Sequence, residues 1–147
     1  MSDRDNACMP ALLLIAHAPL ASALKAVAEH TFPDCASRLA VLDVSQDMSP
    51  EDVAEAAQAL MAAAAHDEWL ILTDVFGATP NNGAKRLLDS AGRRRLVSGL
   101  NAPMLWRSLC YGDSPLDALV GLAVEGGRAG IVIADIPSPP PESPESP

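Results

Sequence analysis

Apolar positions along this chain come in two arrangements. In the first they form unbroken runs. Ala11-Leu12-Leu13-Leu14-Ile15 and Trp69-Leu70-Ile71-Leu72 are too short to cross a membrane and have the length of strands buried on both faces. In the second they recur at helical spacing. After Pro19 stops the first strand, Leu20, Leu24, Val27 and Ala28 predict a helix from about Leu20 to His30, which Phe32-Pro33-Asp34 ends. Arg38 to Val44 reads as a second strand. Ser49-Pro50-Glu51-Asp52 is a helix start, with a capping hydroxyl, proline in the first turn and two acids facing the helix dipole. That helix is expected to run to about Ala65, with Val53, Ala57, Leu60, Met61 and Ala64 as its apolar stripe.

The third strand, Trp69 to Asp74, leads into a turn and a helix expected over Asn81 to Ser90, capped at Thr79-Pro80 and stopped by Gly92. Leu96 to Ser98 is a short fourth strand. A helix with Met104, Leu105 and Leu109 follows the turn Gly99 to Pro103. A last helix begins at Ser114-Pro115 and is expected to close near Glu125 at Gly126-Gly127, before a fifth strand over Gly130 to Ala134. Strands separated by helices predict an α/β fold, a mostly parallel open sheet of about five strands with helices on both faces. In the flavodoxin-like order the first and third strands are neighbours. Residues 1–10 read as a polar lead-in and 11–134 as one domain. From Pro137 the last eleven residues hold six prolines, three serines and two glutamates, so 135–147 read as a disordered tail.

Both buried strands end on chemistry. His17 closes the first and Asp74 the third, and neighbouring strands lie about 5 Å apart, so the two side chains are expected to meet at the carboxyl edge of the sheet, where open α/β folds collect ligands. The plainer reading of His17 is a satisfied structural histidine, and the second strand with the same grammar is what outweighs it. Asp43, at the end of the second strand, is a third candidate, with an exposed strand-end aspartate as its plainer reading. His66 reads as a helix-end residue facing the dipole. A carboxylate that accepts the proton of one ring nitrogen leaves the other free as nucleophile or base. Thr79 and the N–H groups after Pro80 are placed to receive an anion. Together these describe a phosphohistidine site.

Other chemistries fail on particular residues. A receiver domain needs an acidic cluster where this chain has Ala16-His17-Ala18, and a dinucleotide site needs a glycine-rich turn there. No nucleophile elbow is present. The spacing of His17, Asp74 and Asp43 is compatible with a metal site but not diagnostic of one, and no cofactor is expected. With 147 residues, 49% of them hydrophobic, the chain builds one full core. Its formal net charge of -9 argues against nucleic acid, and Arg93-Arg94-Arg95 reads as a solvated cluster. Three cysteines without metal or disulfide spacing suit a reducing compartment. The start of the chain lacks the positive flank of a secretory signal, so a cytoplasmic location is expected.

The segments ALLLIAH, LILTDVFGATPNNGA and VSGLNAPML, in this order, resemble the enzyme IIA component of the mannose-type phosphotransferase system, over about Ala11 to Ala134. The family pattern is a strand ending in His-Gly, then L-T-D-hydrophobic-G-G-[ST]-P, then G-V-N-hydrophobic-P-M. The resemblance implies that His17 takes a phosphoryl group from the phosphocarrier HPr and passes it to a separate IIB partner in sugar uptake. It implies that Asp74 orients the ring, that Thr79 helps hold the phosphate, and that Asn101 shapes the phosphate site. It further implies a homodimer that exchanges the last strand, antiparallel to the others. The alternative is a regulatory module whose phosphorylation state signals to a partner, and a dihydroxyacetone kinase is a third destination for the phosphate. The chain departs from the pattern at Ala18 and Ala78, each in place of glycine, at Asn81, where an aromatic is common, and at Ala102, where leucine is usual.

Overall fold

The parallel sheet forms around the two apolar runs. β1 (Ala11–His17), β2 (Leu39–Val44), β3 (Trp69–Thr73) and β4 (Arg94–Ser98) pair in the order β2-β1-β3-β4, every pair parallel. The structure is a computed structural model that describes residues 9–141; the lead-in through residue 8 and the tail from residue 142 lie outside the described residues. Among the described residues, five α-helices and a single 3-10 turn (Ala36–Arg38) complete the fold: α1 (Leu20–Thr31), α2 (Pro50–Ala63), α3 (Thr79–Lys85), α4 (Ala102–Cys110) and α5 (Leu116–Ala129). Among the described residues, no helix is long and apolar enough to cross a membrane.

Side chains alternate along a strand, so each central strand feeds two cores. Leu12, Leu14 and Ala16 of β1, with Leu70 and Leu72 of β3, meet α1, α4 and α5 on one face. Leu13 and Ile15, with Trp69 and Ile71, meet α2 and α3 on the other. The start of α2 follows the sequence expectation. Ser49 Oγ accepts from Asp52 N at 3.1 Å and Asp52 Oδ2 accepts from Ser49 N at 3.0 Å, with Pro50 opening the helix.

α2 and α3 touch through Gly83, where an added Cβ would stand 2.5 Å from Val53 Cβ and 2.9 Å from the Pro50 carbonyl. Alanine has the better helix propensity, by about 1 kcal/mol, but overpacking costs about 1–3 kcal/mol. A Gly83→Ala variant is therefore expected to unfold at lower urea concentration than the parent. An unchanged or higher midpoint would show that the two helices separate without strain.

Several boundaries differ from expectation. α3 ends at Lys85 rather than Ser90, because its last turns tighten into i to i−3 bonds, Leu87 N to Ala84 O at 3.0 Å and Leu88 N to Lys85 O at 3.3 Å. Its N-cap is Ala78, and Thr79 is the first helical residue rather than the cap. α2 stops at Ala63, so His66 is not a helix-end residue. Its Nδ1 lies 3.2 Å from the Met9 carbonyl oxygen and its ring meets Trp69 edge-on.

The largest correction concerns the end of the domain. α5 runs through Gly126-Gly127 to Ala129, because these glycines are a packing face and not a stop. A Cβ at Gly126 would stand 2.6 Å from Arg107 Cβ, and one at Gly127 2.8 Å from Met104 Cε, both on α4. The expected fifth strand, Gly130 to Ala134, is not formed, and the described sheet has four strands. An apolar run becomes a strand only when it pairs with a sheet edge, and within one chain this segment pairs with neither edge of the sheet. Ile131, Val132, Ile133 and Ile136 are left in solvent.

Candidate functional site

β1 and β3 are neighbours with Ile15 opposite Thr73, so the residues that end them emerge at the same edge of the sheet. Asp74 Oδ2 accepts the main-chain N–H of His17 at 3.0 Å and lies 2.7 Å from His17 Nδ1. Asp74 Oδ1 accepts the main-chain N–H of Val75 at 3.0 Å. The Asp74 side chain is 9% exposed and that of His17 52%, so the carboxylate is sheltered while the ring reaches solvent.

Burial pushes the Asp74 carboxyl upward. The hydrogen bonds from the His17 ring and backbone, the ring's charge and the Val75 N–H outweigh it and leave the group below the ordinary aspartate range. An ionised carboxylate only accepts, so Nδ1 carries the proton between them. In the neutral ring the lone pair is then on Nε2, the nitrogen that Asp74 does not engage. The pair thus presents one nucleophilic nitrogen in a fixed tautomer.

The remaining candidates separate. Asp43 is tied to the start of α1, accepting from the Ser22 main-chain N–H at 3.0 Å and from the Ser22 hydroxyl, and is partly buried rather than exposed. Ser22 is its missed partner, and a hydroxyl in the first turn of a predicted helix was the available signal. Thr79 is half-buried in the first turn of α3. Asn101 is the N-cap of α4. Its Oδ1 accepts from Met104 N at 2.9 Å and its Nδ2 donates to the Gly127 carbonyl at 3.1 Å, so the side chain joins α4 to α5. Among the described residues, no group of three histidines, cysteines or acids is placed to hold a metal ion.

Sequence reasoning also missed a polar cluster under the site. Thr73 Oγ1 lies 3.0 Å from Asn81 Oδ1 and 3.1 Å from Ser98 Oγ, and Ser98 Oγ also donates to Asn81 Oδ1. Asn81 is fully buried, and its Nδ2 has no partner among the described residues. Turning the amide over exchanges the orphaned N–H group for an orphaned carbonyl, so either orientation leaves one end unmatched, at a cost of about 1–3 kcal/mol.

The family model described as "PTS system fructose IIA component", EIIA-man, matches residues 11–115. The chain belongs to this family. It is 39% identical over 64 residues to the "PTS system mannose-specific EIIAB component" of Escherichia coli K12, an alignment over 42% of this chain and 20% of that protein. The aligned region therefore spans about a fifth of the length of that curated relative. The phosphotransferase system component EIIA from Streptococcus agalactiae is 25% identical with a TM-score of 0.77, over 85% of this chain and 97% of its own. The mannose/sorbose specific IIA subunit from Enterococcus faecalis shares the fold, at 22% identity and a TM-score of 0.78, over 90% of this chain and 99% of its own.

Within the EIIA-man family the glycine replacements noted above are compatible with the backbone. Among the described residues no non-glycine has positive φ, so neither Ala18 nor Ala78 stands where the backbone demands glycine. The turn after Asp74 takes its one positive φ, +84°, at Gly77, which this chain keeps.

Proposed function

We propose that this EIIA-man chain is a phosphocarrier of the phosphotransferase system, and that His17 accepts a phosphoryl group from phosphorylated HPr and hands it to a IIB partner in sugar uptake. The observation that carries the reading is the 2.7 Å contact of His17 Nδ1 with a sheltered Asp74, which leaves Nε2 of a half-exposed ring as the nucleophile. Nε2 donates its lone pair to phosphorus as the bond to the donor breaks and that electron pair returns to the donor. The proton stays on Nδ1, where Asp74 balances the positive charge the ring acquires.

The Thr79 hydroxyl and the open N–H groups of the first turn of α3 are our candidates for holding the phosphate oxygens. Asn101 acts indirectly, by fixing the loop between β4 and α4. Val75 and Phe76, which follow Asp74, are 53% and 74% exposed, apolar surface of the kind a partner protein covers. The exposed run Ile131 to Ile133 and the unpaired edge of β4 support a homodimer in which each chain lends this segment, antiparallel, to the sheet of the other. These reactions belong in the cytoplasm, where phosphorylated HPr is found.

Incubation with enzyme I, HPr and phosphoenolpyruvate, followed by intact-mass measurement and a peptide map, is expected to place one acid-labile phosphate on the peptide containing His17. Absence of the added mass, or its location on another peptide, overturns the assignment. A regulatory use of the same phosphate is distinguished by adding IIB, which discharges a transport component.

A further inference from the structure

Asn81 does nothing yet described. It stands fully buried on the first turn of α3, with one end of its amide unmatched, in contact with the residue that precedes Asp74 and with the last residue of β4. An apolar side chain of the same size would fill that place without an orphaned polar group, and Thr73 and Ser98, 3.1 Å apart, would still bond each other. Stability alone therefore does not account for an amide here. What the amide adds is a link between three pieces of chain: the tip of β3, the tip of β4 and the start of α3.

We propose that Asn81 is a positioning residue for the His17–Asp74 pair. By holding Thr73 and Ser98 to the first turn of α3, it fixes the main chain on which Asp74 stands and keeps the carboxylate within reach of Nδ1. A shift of about 1 Å at a supporting residue is enough to spoil such a pair. The link also sets Thr79, two residues before Asn81, relative to Asp74, so one side chain governs both the ring's tautomer and the phosphate-holding turn. The kinetic part of this inference rests on the phosphocarrier reading; the tautomer part does not.

The test uses Asn81→Leu in the full chain, without any phosphoryl donor. The 15N shifts of the His17 ring, assigned in the parent, are expected to report the Nδ1–H tautomer there and a mixture with the Nε2–H form in the variant. The thermal midpoint is expected to stay level or rise, since the orphaned amide is gone. In the HPr reaction the variant's transfer rate is expected to fall about 10-fold, in line with the loss of a supporting hydrogen bond.

Thr73→Val, which removes the hydroxyl at nearly constant volume, is expected to loosen the tautomer in the same way, and Thr73→Ser to restore it. This second pair decides the matter if Asn81→Leu does not fold. Parent-like ring shifts in Asn81→Leu or Thr73→Val overturn the proposal, whatever the transfer rates. A parent that takes no phosphate overturns the phosphocarrier reading and leaves the ring shifts to decide the role of Asn81.

Discussion

Replacing His17 by alanine is expected to abolish phosphate uptake from phosphorylated HPr altogether. The side chain is half exposed and packs into neither core, so the variant should stay folded, with an unfolding midpoint lowered only by the loss of the ring's bond to Asp74. The loss is complete because no substitute acceptor stands at this edge of the sheet. The chain has three histidines. His66 precedes β3 at the opposite edge, where it meets Met9 and Trp69, and His30 is in the last turn of α1. A folded His17→Ala variant that still took up label would end the phosphohistidine assignment.

Asp74→Asn is expected to slow transfer about 10- to 100-fold without unfolding the domain. The substitution is nearly isosteric, but each carboxylate oxygen accepts an N–H: Oδ2 from the His17 backbone and ring, Oδ1 from Val75. An amide has only one acceptor end, so whichever way it turns, its NH2 group confronts a donor. The charge that balances the phosphorylated ring is lost as well.

Stability changes with a defined sign. The folded Asp74 carboxyl lies below its ordinary range, so its contribution is whole above the unfolded value of about 3.9 and disappears as pH falls through the lower, folded one. The stability gap between parent and Asp74→Asn should therefore be widest near neutral pH and shrink in acid. Parent-like transfer kinetics would remove Asp74 from the mechanism, and a gap that did not change with pH would mean that its charge adds nothing to folding.

The parts of the fold legible in the chain were those that local pattern decides. The runs at Leu12 and Leu70 had the length and flanks of buried strands, and Ser49-Pro50 with Asp52 had the chemistry of a helix start. Placing β1 beside β3 needed only the usual order of such sheets, and it brought His17 to Asp74. What pattern did not decide were the matters settled by approach of distant segments. Gly126-Gly127 reads locally as a stop, and only the nearness of Arg107 and Met104 makes it a packing face. Asp43 looked free because its partner, Ser22, comes from a helix 21 residues earlier. Asn81 stood out in the sequence only as an unusual residue, since its meaning depends on Ser98, which arrives from another strand.

The uncovered segment after α5 has a colloidal consequence. Ile131, Val132, Ile133 and Ile136 give every chain an adhesive end, while the formal charge of -9 makes the chains repel one another. Added electrolyte weakens that repulsion, which reaches about 10 Å at 0.1 M salt, and leaves the apolar attraction intact. Self-association of this protein should then strengthen as ionic strength rises, the opposite of what contacts built on ion pairs would do.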